Sequence, residues 1–340
     1  MIISVTPNTA IDYSLRVPEF SLGRTIRAVE SAWGMGGKAA DAGWILGHWG
    51  AENLALGFAA GSNGHRMEAM LRERGCQTDF VWANGDTRLN IVVCSDGKHT
   101  TFTSSTIKVS PEHVDAFLGK YRLALEKASC LVVGGTLPCG VSSDFFADVI
   151  RMARQRDIPV IFDSSGPHLR IGLEAHPTVI KPNLTELVDL SGEVFNMDPG
   201  NYTMDPTRKE RIYTLARQVQ SQYGVSLVIT LGSEGAMALF DDTHYWIPSL
   251  DVDVVSAAGA GDAVLAGLAV AYAQHLPIED GLRLGFALAT SVLLTLATAD
   301  YHPEDVRVFL PLVELQPLSI GFFQSLKQDT FPKRNSGLAL

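Results

Sequence analysis

The sequence predicts an α/β protein: a doubly wound, mostly parallel sheet with helices on both faces, and a small sheet beside it. Three observations carry this. Short β-branched runs bounded by Gly, Pro or Asp recur along the chain, helical patterns separate them, and two further stretches alternate like strands without a crossover helix of their own.

The runs are IISVT at 2–6, LALGF at 54–58, CLVVGG at 130–135, IPVIFD at 158–163, TVIKPN at 178–183 and SLVITLG at 226–232. Near-continuous apolar runs are the pattern of strands covered on both faces. Between them, SDFFADVIRMARQR at 143–156 and RKERIYTLARQVQSQYG at 208–224 space their apolar residues as helices do. The longest apolar segments, 263–273 and 285–299, are too short to cross a bilayer and predict core helices. Residues 12–33 and 86–106 (YSLRV, LNIVVC, HTTFTSST) predict a separate small sheet, placed as a lid. One α/β domain over 1–325 is therefore expected, followed by a polar tail over 326–340.

With 340 residues, 46% of them hydrophobic and 19% charged, the chain is a soluble globular protein with a substantial core. Its formal charge of −10 disfavours nucleic acid or an anionic membrane as partner, because both reward a basic face. Any anionic ligand needs a local basic cluster. Cys76, Cys94, Cys130 and Cys139 form no CxxC pair and no His-Cys zinc spacing, and read as the reduced thiols of a cytoplasmic protein. The opening MIISVTPN lacks the basic and then apolar pattern of a signal peptide.

Chemistry concentrates at the strand ends. VGGTLPCG (133–140), DSSG (163–166), KPNLTE (181–186), TLGSEGA (230–236) and AGAGD (258–262) each follow an apolar strand. In a parallel sheet such junctions share the rim where ligands bind. In VSAAGAGDAVLAG (255–267), Asp262 at a helix start reads first as a cap. The two glycines exceed what a cap needs. Gly259 and Gly261 permit positive φ and close approach, so the N–H groups of Ala260, Gly261 and Asp262 can converge on an anion.

Taken in order, these elements resemble the PfkB or ribokinase-like carbohydrate kinases over residues 1–312, and among them the hexose-phosphate branch. TPNTAIDYSLRVPEFSLGRTIRA resembles the branch's opening, GMGGKAADAG (34–43) the family's first signature, GDTRLN (85–90) the branch's TRxN element, and VSAAGAGDAVLAG the second signature. The resemblance implies a ribokinase-like fold whose sheet lid often forms a homodimer interface. It implies ATP-dependent phosphorylation of a small sugar or sugar phosphate, preferably a phosphohexose such as fructose 1-phosphate, fructose 6-phosphate or tagatose 6-phosphate. Such a transfer needs a group to deprotonate the attacking hydroxyl and positive character around the moving phosphoryl. Asp262 matches the family's base, with Gly259, Ala260 and Gly261 forming the anion hole.

The same resemblance extends to further residues. Asn183 and Glu186 match an NxxE element that positions Mg²⁺ largely through water, although the four residues also spell a capping box. Thr230, Gly232 and Gly235 match the nucleotide-binding turn, where a tight strand–turn–strand explains the glycines equally well. Asp12, expected at the end of the first strand, matches an Asp that binds sugar hydroxyls. A carboxylate on an apolar strand belongs either in a polar cleft or at a turn. Gly36, Gly37 and Lys38 lie in the first signature, Arg88 in TRxN, Thr136 at a GSLP-like position, and Arg27 matches a lid Arg that acts across a dimer. Singly, each cation reads as a solvated surface charge; together they suggest a phosphate pocket. Asp41 and Ala39 stand where the first signature usually has Asn and Gly, and Asn both donates and accepts where ionised Asp only accepts. Kinase action on an unphosphorylated sugar or polyol is the alternative, as is a non-catalytic sugar-binding regulator.

Overall fold

The computed structural model describes residues 1–95, 98–193 and 205–318; the tail expected over 326–340 lies outside the described residues. The chain begins with β1 (Ile2–Thr6), β2 (Ala10–Arg16), β3 (Glu30–Gly36), α1 (Lys38–Trp49), β4 (Asn53–Ala59), α2 (Gly61–Glu73), β5 (Gln77–Thr78), β6 (Val81–Trp82), β7 (Arg88–Ser95) and β8 (Lys98–Thr103). It continues with α3 (Pro111–Leu125), β9 (Cys130–Gly135), α4 (Phe145–Arg154), β10 (Val160–Ser164), α5 (Gly166–Leu173), β11 (Val179–Ile180), α6 (Leu184–Ser191), α7 (Pro206–Tyr223) and β12 (Ser226–Thr230). The last elements are β13 (Ala236–Phe240), β14 (Thr243–Ile247), α8 (Ala260–Gln274), α9 (Ile278–Leu293), α10 (Pro303–Phe309) and β15 (Gln316–Pro317).

Two compact units emerge: Met1–Lys181 with Leu250–Glu314, and Pro182–Ser249 with the described residues from Leu315 onward. In the first, the strands run β11-β10-β9-β1-β4-β5, with β6 also beside β4. Every pairing there is parallel. β1 is central, and all five of its residues are buried, as a strand covered on both faces must be. The stretches expected to alternate supply a separate sheet in the order β3-β2-β7-β8, with β2 parallel to β7 and the outer pairs antiparallel. In the second unit, β12 to β15 form an antiparallel ladder with α6 and α7 alongside.

Three expectations shift. TVIKPN yields only the two residues of β11, because Pro182 carries no N–H for a ladder and Asn183 already caps α6. Asp12 lies within β2 rather than at the end of β1. The apolar run 285–299 leaves the helix after Leu293, where buried Thr295 turns its hydroxyl onto the carbonyls of Val292, Ala297 and Asp300 at 3.0–3.2 Å. A hydroxyl that satisfies local carbonyls competes with helix continuation.

The helix that carries Asp262 has no polar face. From Ala263 to Ala271 every residue of α8 is buried, enclosed by α1, α9 and the strands β1, β9 and β10. Its approach to α9 depends on glycine. A Cβ on Gly267 would collide with the backbone of Gly285, and one on Gly281 would meet the Ala271 Cβ at 2.6 Å. Gly267→Val is expected to destabilise by roughly 1–3 kcal/mol, the cost of overpacking a filled core. Gly119, exposed on α3 with open space around it, is the control: Gly119→Ala should stabilise by about 0.5–1 kcal/mol. Urea unfolding midpoints for both variants check this.

Candidate active site

The N-terminus of α8 anchors the site. Gly259 is its N-cap with φ 83°, a left-handed conformation that other residues adopt at a cost, and a Cβ there would collide with the backbone of Ala299. Asp262 is the third residue of the helix and half-buried, at the positive end of the dipole. The three amides do not all converge. The Asp262 N–H already donates to the Gly259 carbonyl at 3.0 Å, and that of Ala260 reaches the Ala257 carbonyl at 3.4 Å. Gly261 does not take positive φ; its role is room, since a Cβ would stand 3.2 Å from Lys181 Nζ. An ammonium group therefore lies against the first turn of the helix.

That ammonium belongs to a triad with Asp163 and half-buried Lys38. Asp163, at 1% exposure, is ion-paired to Lys38 at 2.5 Å and to Lys181 at 2.9 Å. Burial pushes the Asp163 carboxyl up, but the charges of Lys181 and Lys38 outweigh it and hold it below the usual carboxylate range. An unpaired carboxylate at this depth would cost several kcal/mol. Two cations around one anion leave a net positive charge, of the sign needed to receive phosphoryl oxygens.

The other half of the cluster comes from the small sheet and α1. Register sets Asp12 of β2 opposite Asn90 of β7, and the Asn90 amide donates to Asp12 Oδ1 at 2.8 Å. Gly36 supplies the space for this carboxylate, because a Cβ there would collide with Oδ1. Gly37, with φ 100°, caps α1 and brings its start against Thr6 at the end of β1. Asp41 follows in the first turn of α1 at 4% exposure. Burial, then the charges of Asp262 and Asp12, then its hydrogen bond to Asp262, raise the Asp41 carboxyl well above the ordinary range. Asp262 is pushed up to about 6 by burial and by Asp163, against the opposing pull of Lys181, Lys38 and the Asp41 hydrogen bond. Burial lowers the Arg88 guanidinium, while Asp12 and Asp41 favour its charged form.

The chain thus brings Asp12, Gly36, Gly37, Lys38, Asp41, Arg88 and Asp262 into one region. Lys38 sits with Asp163 and Asp262, whereas Arg88 sits with Asp12 and Asp41. Exposed Thr136 accepts a hydrogen bond from Asn8 at 2.9 Å. Arg27 is exposed on the connection between β2 and β3. The quoted motifs DSSG, KPNLTE and TRxN contain Asp163, Lys181 and Asn90, but the sequence alone assigns these three no role. The available signal was a charged residue closing an apolar strand, IPVIFD and TVIK, which is tolerated in a core only when paired.

The remaining residues lie within the second unit. Asn183 Oδ1 accepts from the Glu186 N–H and Glu186 Oε2 from the Asn183 N–H, both at 2.9 Å, so the capping box is formed. Asn183 also bridges to Thr230, whose N–H donates to the Pro182 carbonyl at 3.1 Å. Gly232 (φ 62°) and Gly235 (φ 103°) bound the turn between β12 and β13. The NLTE and TLGSEG elements are neighbours inside this unit.

Comparison with known proteins gives the family. The model of the pfkB family of carbohydrate kinases matches residues 3–304. A 1-phosphofructokinase of Borreliella burgdorferi is 29% identical over 94% of this chain and 99% of its own. A tagatose-6-phosphate kinase of Staphylococcus epidermidis is 28% identical over 83% of this chain and 89% of its own. Among solved structures, a possible 1-phosphofructokinase of Thermotoga maritima superposes with a TM-score of 0.79 at 22% identity, covering 94% of this chain and 100% of that one. Phosphofructokinase-2 of Escherichia coli, in complex with potassium, superposes with a TM-score of 0.78 at 21% identity, covering 92% and 98%. With its family signature matched along most of its length, this chain belongs to the pfkB family of carbohydrate kinases and is a phosphotransferase.

Proposed function

We propose that the protein transfers the γ-phosphoryl group of ATP to a hydroxyl of a phosphohexose, with Asp262 as the base. The acceptor oxygen attacks phosphorus, its proton passes to the Asp262 carboxylate, and the bond to the bridging oxygen breaks to release ADP. The observation that carries this reading is the charge pattern around Asp262. A carboxylate at a helix N-terminus faces the Lys38–Asp163–Lys181 triad, whose net positive charge suits a moving phosphoryl group. Asp12 and Asn90 offer acceptors and donors for sugar hydroxyls. Arg88 is half-buried, and its Nε has no hydrogen-bond partner among the described residues, which supports a role in gripping a phosphate already on the sugar. The 1-phosphofructokinase and tagatose-6-phosphate kinase relatives support the same acceptor class.

Thr230, Gly232 and Gly235 are the nucleotide-binding residues of this proposal. Among the described residues no three His, Cys, Asp or Glu side chains gather to hold a metal. The capping box uses one carboxylate oxygen of Glu186 and leaves the other, a donor set that fits an ion retaining most of its water. Asn183 and Glu186 would hold Mg²⁺, which would supply charge neutralisation on the phosphates. A homodimer formed through the small sheet is supported by Phe20, Leu22, Val29 and Phe102, all exposed on that sheet or its connection. Among the described residues no helix is long and apolar enough to cross a membrane, consistent with the proposed cytoplasmic location.

A panel of sugars and sugar phosphates assayed for ADP release tests the proposal, and turnover confined to unphosphorylated sugars would refute the acceptor class. Asp262→Asn should lower turnover by at least ~10²-fold with nucleotide affinity little changed; near-normal turnover removes Asp262 from the role. Because the base must be ionised, kcat/KM should fall as pH drops through about 6. Arg88→Ala should raise KM for a phosphohexose by at least ~10-fold, the worth of one charged hydrogen bond, and far less for an unphosphorylated sugar.

A further inference from the structure

Residues 297–301, a loop after α9, touch both halves of the site. Thr298 backs the small sheet: Gly34 lies opposite Asp12 in the β2–β3 ladder, and a Cβ on it would stand 2.5 Å from the Thr298 backbone nitrogen. The next residue backs α8. The Ala299 backbone lies against the N-cap Gly259, and its N–H donates to the Ala258 carbonyl at 3.1 Å. Ala299 also holds φ 57°, a left-handed conformation that a residue with a Cβ keeps only when its surroundings impose it. Packing alone does not surround this loop, because Thr295, Leu296, Ala297, Asp300 and His302 line a cavity of about 370 Å³. Its shape therefore depends on tethers.

One tether comes from 226 residues away. Asp300 Oδ1 accepts from the Tyr301 N–H at 2.9 Å and from Arg74 Nη2 at 2.8 Å. Arg74, just past the end of α2, is itself held by α1: its guanidinium lies 4.7 Å over the Trp44 ring and against His48 Nδ1. Its carbonyl packs so closely on Gly47 that a Cβ there would stand 2.6 Å away. With side chains 27% and 23% exposed, the Arg74–Asp300 pair is too accessible to water to add much global stability. It can still fix a geometry.

We propose that Arg74 is a positioning residue for phosphoryl transfer: by clamping Asp300 it sets the 297–301 loop, and the loop sets the sheet carrying Asp12 against the first turn of α8 carrying Asp262. This rests on the reading in which Asp262 takes the proton of a hydroxyl held at Asp12. A base and a hydroxyl slightly out of line still bind their own partners; the reaction between them suffers. Loss of the clamp is therefore a loss of kcat and not of affinity.

Steady-state kinetics of the full chain test it. Arg74→Ala should lower kcat about 10-fold, short of the roughly 10²-fold that a 1 Å misplacement costs, with the Kd of ATP and the KM of the acceptor within about 2-fold of wild type. Asp300→Ala should do the same, and the double variant should be no slower than either single one, because one clamp is lost once. Arg74→Lys keeps a cation near Asp300 and should recover part of the rate; it also serves if an alanine variant folds poorly. Arg72→Ala is the control: it removes the contacts of Arg72 with Glu68 at 2.9 Å and Thr78 at 2.8 Å, and should leave kcat unchanged. Hydrogen exchange over residues 296–302 should be faster in Arg74→Ala and normal in Arg72→Ala. Unchanged kcat or exchange in Arg74→Ala, additive losses in the double variant, or a raised KM without a fall in kcat overturns the proposal. The assay uses whichever acceptor supports ADP release, so a different acceptor class leaves this test intact, and Asp262→Asn tests the base separately.

Discussion

Four carboxyl groups share one poorly solvated region of this protein, and the arrangement of everything near them follows from keeping them there. Asp12, Asp41, Asp163 and Asp262 face three cations, Lys38, Lys181 and Arg88. Burial alone would drive every one of these acids toward its neutral form. Each has a different local answer. Asp163 receives both ammonium groups, Asp12 receives an amide hydrogen bond and the neighbouring guanidinium, and Asp41, beside Asp262 and Asp12, is raised well above the ordinary range.

Those separate answers divide the labour. Environments that push neighbouring titratable groups apart are how one site acquires both a fixed charge and a working base. Asp163 stays ionised below its usual range and fixes the two lysines in place. Asp262 is raised to about 6, a basicity suited to accepting a proton near neutrality. The lysines that stabilise Asp163 also keep Asp262 from rising further, so structural and functional electrostatics share the same residues. Charge on one acid is set by the choices made for the other three.

Much of this is legible in the sequence, for physical reasons that also mark what is not. IISVT, CLVVGG and the helix of 143–156 were readable because a strand covered on both faces is apolar throughout and a half-buried helix repeats its apolar residues. AGAGD was readable because its Gly-rich turn is local. The strand β3 (ESAWGMG) was not singled out by pattern. Its glycines serve close approach, as at Gly34, where a Cβ would stand 2.5 Å from the Thr298 backbone nitrogen. The Lys38–Asp163 pair joins residues 125 apart in sequence, and no local periodicity encodes such a partner. The amide convergence expected around Asp262 was narrower in fact, because two of the three N–H groups bond within the turn itself. Positive character there comes instead largely from Lys181, a side chain whose reach is invisible in one dimension.

The all-round burial of α8 carries one more implication. A helix gripped on every side cannot slide or rotate independently, so the location of its first-turn carboxylate is inherited from side chains two and more turns deeper. Substitutions among Ala263–Ala271, or in the glycines of α9 that face them, shift the first turn of α8 as well as strain the core. Interior changes of this kind lower stability and move the helix start together, so a substitution several turns away is felt at Asp262.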